Sequence, residues 1–151
     1  SKKWFNDSIP IDNISLDDCQ LKGVSEIKIK EYMKSFKVSN FKTAANAIID
    51  LANNANLYLN ERAPWKLIKD KSNKEIVARD IYSVLESCRI IGILLNPFVP
   101  NLSIRILDQL KIDYSSITFK KSLHWGLLNP NNGLKDPCPV MDKIEFNEMA
   151  I

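Results

Sequence analysis

Apolar residues recur every three or four positions along residues 41–59, which is the spacing of one face of a helix. Val38, followed by the candidate cap residues Ser39 and Asn40, stands at the start. Pro64 follows, and a proline lacks an amide proton and disfavours helical dihedrals in the residue before it. We therefore predict one long helix and a turn of the chain at Ala63-Pro64. The predicted inward stripe consists of Phe41, Ala44, Ala45, Ile48, Ala52, Ala55 and Leu59.

A second amphipathic helix is predicted before the long one, with Ser25 as its N-cap. Its inward stripe consists of Ile29, Tyr32, Met33 and Phe36. Residues 11–23 are polar and aperiodic, and we expect a surface connection there. Trp4 and Phe5 suggest the last turn of a further helix whose body lies upstream. The chain begins with Ser1 rather than methionine, so we expect a piece of a longer polypeptide.

A third helix is predicted to begin at Ser72 and Glu75, whose spacing is that of a capping box. Its apolar stripe consists of Val77, Ile81, Val84, Leu85, Cys88, Ile91 and Leu95. Pro97 ends this helix, and Pro100 suits the first turn of a short fourth one. The residues that this fourth helix is expected to bury are Leu102, Ile106 and Leu110.

The remainder of the chain has no clear helical period. Residues 111–122 are predicted to form a loop with at most one helical turn, and His124 and Trp125 are expected to pack rather than to perform chemistry. The fold class is all-α: an antiparallel helical bundle over residues 1–122, with a truncated first helix, and an irregular C-terminal extension over residues 123–151.

Composition narrows the possible functions. At 151 residues and 45% hydrophobic, the chain suits one domain with a sizeable core. The net charge of +3 permits a nucleic-acid partner without requiring one. Three separated cysteines, one histidine and four glycines offer no disulfide framework, no zinc site and no phosphate-binding loop. We therefore expect a non-catalytic domain without cofactor or metal, in the reducing cytoplasm, and no apolar run is long enough to span a membrane.

Trp65 is the candidate for function. It follows Pro64 at the predicted turn, with Arg62, Lys66 and Lys69 nearby. An indole at the surface among positive charges can stack on an unpaired base. The alternative is that the indole closes the core at the end of a helical hairpin.

Ala55, Asn56 and Tyr58, followed after five residues by Pro64-Trp65, form the pattern ANxYxxxxxPWxL. This pattern resembles the signature of the anticodon-binding domain of methionyl-tRNA synthetases. The resemblance implies that Trp65 stacks on the first base of the CAU anticodon and that Pro64 fixes its position. The neighbouring residues Asn56, Arg62 and Lys66 are further candidates for the anticodon contact.

The same resemblance implies a parent enzyme, a class I synthetase that uses ATP and Mg²⁺ to join methionine to its tRNA. The HIGH and KMSKS segments that bind ATP in that class are absent, so this fragment should hold no cofactor itself. Its expected partners are the anticodon loop of methionine tRNA and the catalytic domain of the same polypeptide. The extension over residues 123–151 would pack back on the bundle or on the catalytic body, although Asp142-Lys143 depart from the family's usual Pro-Arg.

Two alternatives stay open at this point. The first is the corresponding domain of a related class I synthetase, for valine, isoleucine, leucine or cysteine. The second is a helical scaffold that binds protein through Trp4 and Trp65 as surface anchors.

Overall fold

The computed structural model describes residues 4–5, 8–10, 19–130 and 133–141. Within them the chain forms five α-helices and three short 3₁₀ turns, which confirms the predicted all-α bundle. The helices are α1 (Gln20–Lys37), α2 (Phe41–Arg62), α3 (Pro64–Leu67), α4 (Lys74–Leu95) and α5 (Pro100–Gln109). The 3₁₀ turns are Lys71–Asn73, Tyr114–Ser116 and Lys121–Leu123.

Helix α4 is the centre of the bundle. It packs against α1, α2, α3 and α5, and α1 and α2 also pack on each other along their length. The main core forms where α1, α2, α4 and α5 meet, and Leu123 from the C-terminal part joins it. Its most deeply buried side chains include Tyr32, Leu51, Ile90, Leu94 and Leu107.

The predicted stripe of α2 is only partly correct. Ala44, Ile48 and Ala55 are buried as expected, but Ala52 and Phe41 are exposed. Because α2 packs on both α1 and α4, its buried face is wider than one stripe and is centred elsewhere on the helix. The buried residues that the prediction missed are Ala47, Leu51 and Tyr58.

Of the four predicted helix starts, two are wrong, while α5 begins at Pro100 as predicted. The side-chain oxygen of Asn40 does accept the backbone N–H of Thr43 at 3.2 Å, as expected of an N-cap. Ser25, however, lies inside α1 and is fully buried, because α1 begins at Gln20. Cys19, at the start of α1, makes no side-chain cap hydrogen bond, so no capping residue marks this start in the sequence.

The predicted surface connection over residues 11–23 is wrong at its C-terminal end. Cys19 and Leu21 are buried there, and α1 has already begun. Residues 11–18 lie outside the described part.

The capping box of Ser72 and Glu75 is also wrong. Helix α4 begins at Lys74, after a 3₁₀ turn, and makes no side-chain cap hydrogen bond there. Asp70 takes the capping role for the 3₁₀ turn, since its carboxylate accepts the backbone N–H of Ser72 at 2.9 Å. This hydrogen bond lowers the pKa of Asp70 from its ordinary value.

The stripe of α4 also understates how much of the helix is covered. Val77 and Ile91 are buried, while Ile81, Val84, Leu85, Cys88 and Leu95 are partly buried. The sequence did not reveal that polar side chains on the other faces are buried as well, because neighbours surround the helix. These are Asp80, Ser83, Glu86, Ser87 and Arg89.

Helix α5 approaches α4 at Gly92. A Cβ atom at Gly92 would lie 3.1 Å from the side chain of Leu107, so glycine permits this close contact. The hydroxyl of Ser103 also donates to the carbonyl of Gly92 at 2.6 Å. Leu107 and Ser103 are therefore fully buried although the prediction missed them, whereas Leu102 and Ile106 are only partly buried. Leu110 is buried as predicted.

The segments at both ends pack on the bundle. Leu128 and Ile9 are buried together with Tyr82, and Ser8 forms an antiparallel bridge with Gly133. Trp125 is partly buried, as predicted, but the His124 side chain is exposed, so its predicted packing role is wrong. Residues 111–123 contain two 3₁₀ turns rather than one helical turn.

Two predictions fall largely on undescribed residues. Trp4 and Phe5 lie in a turn, but the remainder of the predicted N-terminal helix end lies outside the described residues. The divergent Asp142-Lys143 lies outside them too. Across the helices that the structure describes, none is long and apolar enough to cross a membrane.

Candidate nucleic-acid interface

The candidate site lies at the C-terminal end of α2. Ala63 ends this helix with φ 42° and ψ 55°, which are left-handed dihedrals. Its N–H still donates to the carbonyl of Leu59 at 3.1 Å, the usual pattern of a left-handed C-cap. Pro64 then begins α3, where its missing amide proton has no cost. The predicted turn at Ala63-Pro64 is confirmed.

Trp65 lies on this bend with its indole accessible. Pro64 beneath it is buried, whereas Trp65 is 44% exposed. The N–H of Lys66 donates to the carbonyl of Ala63 at 2.8 Å, and the N–H of Ile68 donates to that of Pro64 at 3.0 Å. The backbone on both sides of the indole is therefore fixed by hydrogen bonds. The alternative in which Trp65 closes the core does not fit its exposure.

Arg62 and Tyr58 are both attached to α4 through one carboxylate. Asp80 is fully buried and accepts the hydroxyl of Tyr58 at 2.7 Å on one oxygen. Its other oxygen accepts Nε of Arg62 at 2.8 Å. The hydrogen bond to Asp80 raises the pKa of Arg62 from an already high value. Burial and this same carboxylate raise the pKa of the Tyr58 phenol.

The remaining candidates differ in position. Lys66 is exposed on α3 next to Trp65, and Asn56 is exposed on α2 almost two turns before its end. The bend thus brings Arg62, Pro64, Trp65 and Lys66 together, while Asn56 lies further along α2. Residues 66–74 add further exposed positive charge, mixed with one exposed carboxylate. The exposed lysines beyond Lys66 are Lys69, Lys71 and Lys74.

Asp80 is the residue of this region that the sequence analysis missed. The available signal was an acidic residue between apolar stripe positions of α4, and a buried charge requires a partner. That signal does not identify the partner. Tyr58 and Arg62 are separated from Asp80 by 22 and 18 positions, respectively, and only the fold brings them together.

Comparison with known proteins decides the family. A family model described as the anticodon-binding domain of methionyl tRNA ligase matches residues 14–150. The chain belongs to this family. The match favours methionyl-tRNA ligase over the related synthetases and over a protein-binding scaffold, and it confirms the resemblance carried by the ANxYxxxxxPWxL pattern.

Curated relatives agree with the family match. The chain is 34% identical over 139 residues to a methionine–tRNA ligase of Synechocystis sp., covering 85% of this chain and 26% of that protein. It is 29% identical over 151 residues to the chloroplastic/mitochondrial methionine–tRNA ligase of Arabidopsis thaliana, covering 97% of this chain and 24% of that protein. The chain therefore spans about a quarter of the length of these relatives.

A solved structure shares the fold. The free form of Mycobacterium tuberculosis methionyl-tRNA synthetase superimposes with a TM-score of 0.84 at 23% identity. The superposition covers 95% of this chain and 29% of that one. This likeness supports the same fold for the chain, in agreement with the helical bundle that the described residues form.

Proposed function

We propose that this domain binds the anticodon loop of methionine tRNA and that Trp65 stacks on the first base of the CAU anticodon. Pro64 fixes the position of the indole, while Arg62, Lys66 and Asn56 contribute contacts around it. One observation carries the proposal: Trp65 is 44% exposed on a bend whose backbone is held by hydrogen bonds on both sides. An accessible indole on a backbone that is already held in place can bind a base without the cost of first ordering this bend.

Stacking of one base on an aromatic ring contributes about 1–3 kcal/mol, or roughly one to two decades of affinity. This alone does not select one tRNA among many. The exposed lysines after Trp65 supply a second, sequence-independent attraction to phosphate. We therefore expect affinity to come from both sources and base selectivity to depend mainly on the indole.

The parent protein, in this proposal, is a methionine–tRNA ligase that joins methionine to tRNA with ATP and Mg²⁺ in the cytoplasm. Catalysis belongs to the part of the polypeptide outside this chain. We divide the present chain into the bundle of residues 1–122 and a C-terminal extension of residues 123–151, which packs back on the bundle or on the catalytic domain.

The experiment compares variants of the full-length ligase that carries this domain. Trp65→Ala should lower kcat/KM for tRNA charging by about ten- to a hundredfold, in line with the loss of one stacked base. ATP–pyrophosphate exchange with methionine should stay near the wild-type rate. Trp65→Phe retains an aromatic face and should lose less. Leu57→Ala truncates another exposed apolar side chain of the same region and is the matched control.

Two results would contradict the proposal. Equal loss of charging and of exchange in Trp65→Ala would mean that the indole supports the fold. Equal affinity for anticodon stem-loops with CAU and with a substituted anticodon would mean that the domain does not recognise the bases. A protein-binding scaffold would show no salt-sensitive affinity for tRNA at all.

A further inference from the structure

Both oxygens of the Asp80 carboxylate are occupied by donors from the last turns of α2. Tyr58 and Arg62 are four residues apart, so they lie on the same face of the helix. Tyr58 donates to one oxygen at 2.7 Å and Nε of Arg62 donates to the other at 2.8 Å. One buried side chain of α4 therefore holds the end of α2 immediately before the bend.

Arg62 is engaged at only one of its three nitrogens. Its side chain is 37% exposed, and only Nε bonds to Asp80. Among the residues that the structure describes, Nη1 and Nη2 have no hydrogen-bond partner. A guanidinium is planar, so fixing Nε against Asp80 also restricts the direction in which the two terminal nitrogens point. Their N–H groups form an edge suited to a phosphate.

The position of Arg62 in the chain indicates which phosphate this edge could bind. Arg62 precedes Trp65 by three residues, and the chain bends between them at the left-handed residue Ala63. A base stacked on Trp65 is joined to its neighbours by phosphates on both sides. A cationic edge next to the indole would meet one of these phosphates. The buried carboxylate of Asp80 requires a cationic partner, and the partner that it has keeps its terminal nitrogens at the surface, where they can bind a ligand.

We propose that Asp80 is a positioning residue that directs Nη1 and Nη2 of Arg62 at a backbone phosphate of the anticodon loop, next to the base stacked on Trp65. This inference rests on the proposed function. Asp80 does not touch RNA itself, because it is fully buried. If Asp80 positions Arg62, its effect on tRNA binding should pass mainly through Arg62, whereas its hydrogen bond to Tyr58 should contribute mainly to stability.

The test is a double-mutant cycle in the full-length ligase, with the dissociation constant for tRNA measured over a series of KCl concentrations. Arg62→Gln should weaken binding about tenfold, as expected for the loss of a hydrogen bond to a charged group, and should lower the salt slope by about one. Asp80→Asn should weaken binding by a similar factor. In the Arg62→Gln background, Asp80→Asn should change the dissociation constant less than about twofold, because the group that it positions is gone.

Thermal melts and ATP–pyrophosphate exchange are recorded for every variant, so that loss of fold is recognised. An equal effect of Asp80→Asn in both backgrounds, or no effect in either, overturns the inference. If Asp80→Asn does not fold, the dissociation constant of Arg62→Lys for tRNA is the deciding measurement, since lysine keeps the charge but lacks the planar edge. Loss comparable with Arg62→Gln supports the inference, and wild-type affinity overturns it. Trp65→Ala, measured in parallel, reports separately on the proposed function.

Discussion

The carboxylate of Glu86 accepts Nη2 of Arg89 at 2.7 Å inside the bundle, where the two side chains are 0% and 4% exposed. The same carboxylate accepts the backbone N–H groups of Gly126, Leu127 and Leu128, the shortest at 2.7 Å. Arg89 donates in turn to the carbonyls of Ser122 and His124. This pair therefore ties the C-terminal segment to the central helix through backbone groups, of which the N–H of Leu128 is buried.

Glu86→Gln should destabilise the chain by about 3–5 kcal/mol, because it leaves the buried guanidinium of Arg89 without its counter-charge. Urea denaturation followed by circular dichroism measures the change. The matched control is Asp108→Asn, which removes the ion pair between Asp108 and Lys135. The side chain of Asp108 is 57% exposed and that of Lys135 is 49% exposed. An exposed pair contributes at most about 1 kcal/mol. Comparable losses in the two variants would contradict the role assigned to Glu86.

Ala63→Gly should stabilise the chain by about 1 kcal/mol. Ala63 has φ 42°, a left-handed conformation that costs an L-residue energy and that glycine adopts freely. Ala52→Gly is the matched control, since Ala52 is an exposed residue in the interior of the same helix. There the same substitution should destabilise by about 1 kcal/mol. Opposite signs in urea denaturation confirm the prediction, and destabilisation by both variants would contradict it.

Tyr32→Phe should be neutral or stabilising. The hydroxyl of Tyr32 is buried and has no hydrogen-bond partner within the described part of the chain, so its removal relieves a desolvation cost of about 1–3 kcal/mol. Tyr82→Phe is the control, because the hydroxyl of Tyr82 donates to the carbonyl of Leu128 at 3.1 Å. Loss of that bond leaves a buried carbonyl unpaired and should destabilise the chain. If Tyr32→Phe proves as costly as Tyr82→Phe in urea denaturation, the Tyr32 hydroxyl has a partner in solution.

Alkaline pH tests the same phenol in another way. Burial raises the pKa of Tyr32 to about 12 from an ordinary value of 10.0. The folded chain therefore binds this proton more tightly than the unfolded chain. Ionisation of Tyr32 leaves the free energy of unfolding unchanged below about pH 10 and lowers it as the pH rises towards 12. The unfolding free energy of Tyr32→Phe should fall less steeply over this window than that of the wild type. Identical slopes in urea denaturation at pH 9 to 11.5 would contradict the shift.

The sequence predicted the features whose causes are local. Pro64 ends α2 because of its own covalent structure, and Asn40 caps α2 through an amide three residues away, so both were visible in the pattern. The start of α1 was not visible in the sequence, because no capping side chain marks it. The first turn of α1 packs on the bundle through the buried Leu21, which is a tertiary contact. The prediction chose Ser25 instead, which lies within the helix.

The contacts of the buried acidic residues of α4 were not local in the sequence. Asp80 and Glu86 are acidic residues in a helix whose apolar stripe suggested an exposed polar side. Their partners lie between 18 and 42 positions away, apart from the Arg89 partner of Glu86. Periodicity measures one face of a helix, and it cannot indicate that α4 is covered on several faces. The exposure of Trp65 also depends on tertiary packing. The sequence therefore left open whether its indole lies at the surface or closes the core.

Lys66→Ala should weaken tRNA binding by the full-length ligase and lower its salt dependence. Lys66 is exposed beside Trp65, where a phosphate of the bound loop would lie within its reach. Removing one phosphate contact reduces the slope of log affinity against log salt by about one, and it does so for every tRNA sequence alike. Lys30→Ala is the matched control, because Lys30 is an exposed lysine of α1, away from the bend. Filter binding over a KCl series separates the two variants. An unchanged slope for Lys66→Ala, or an equal change for Lys30→Ala, would mean that tRNA is attracted by the net charge of the domain and not by the charges around the indole.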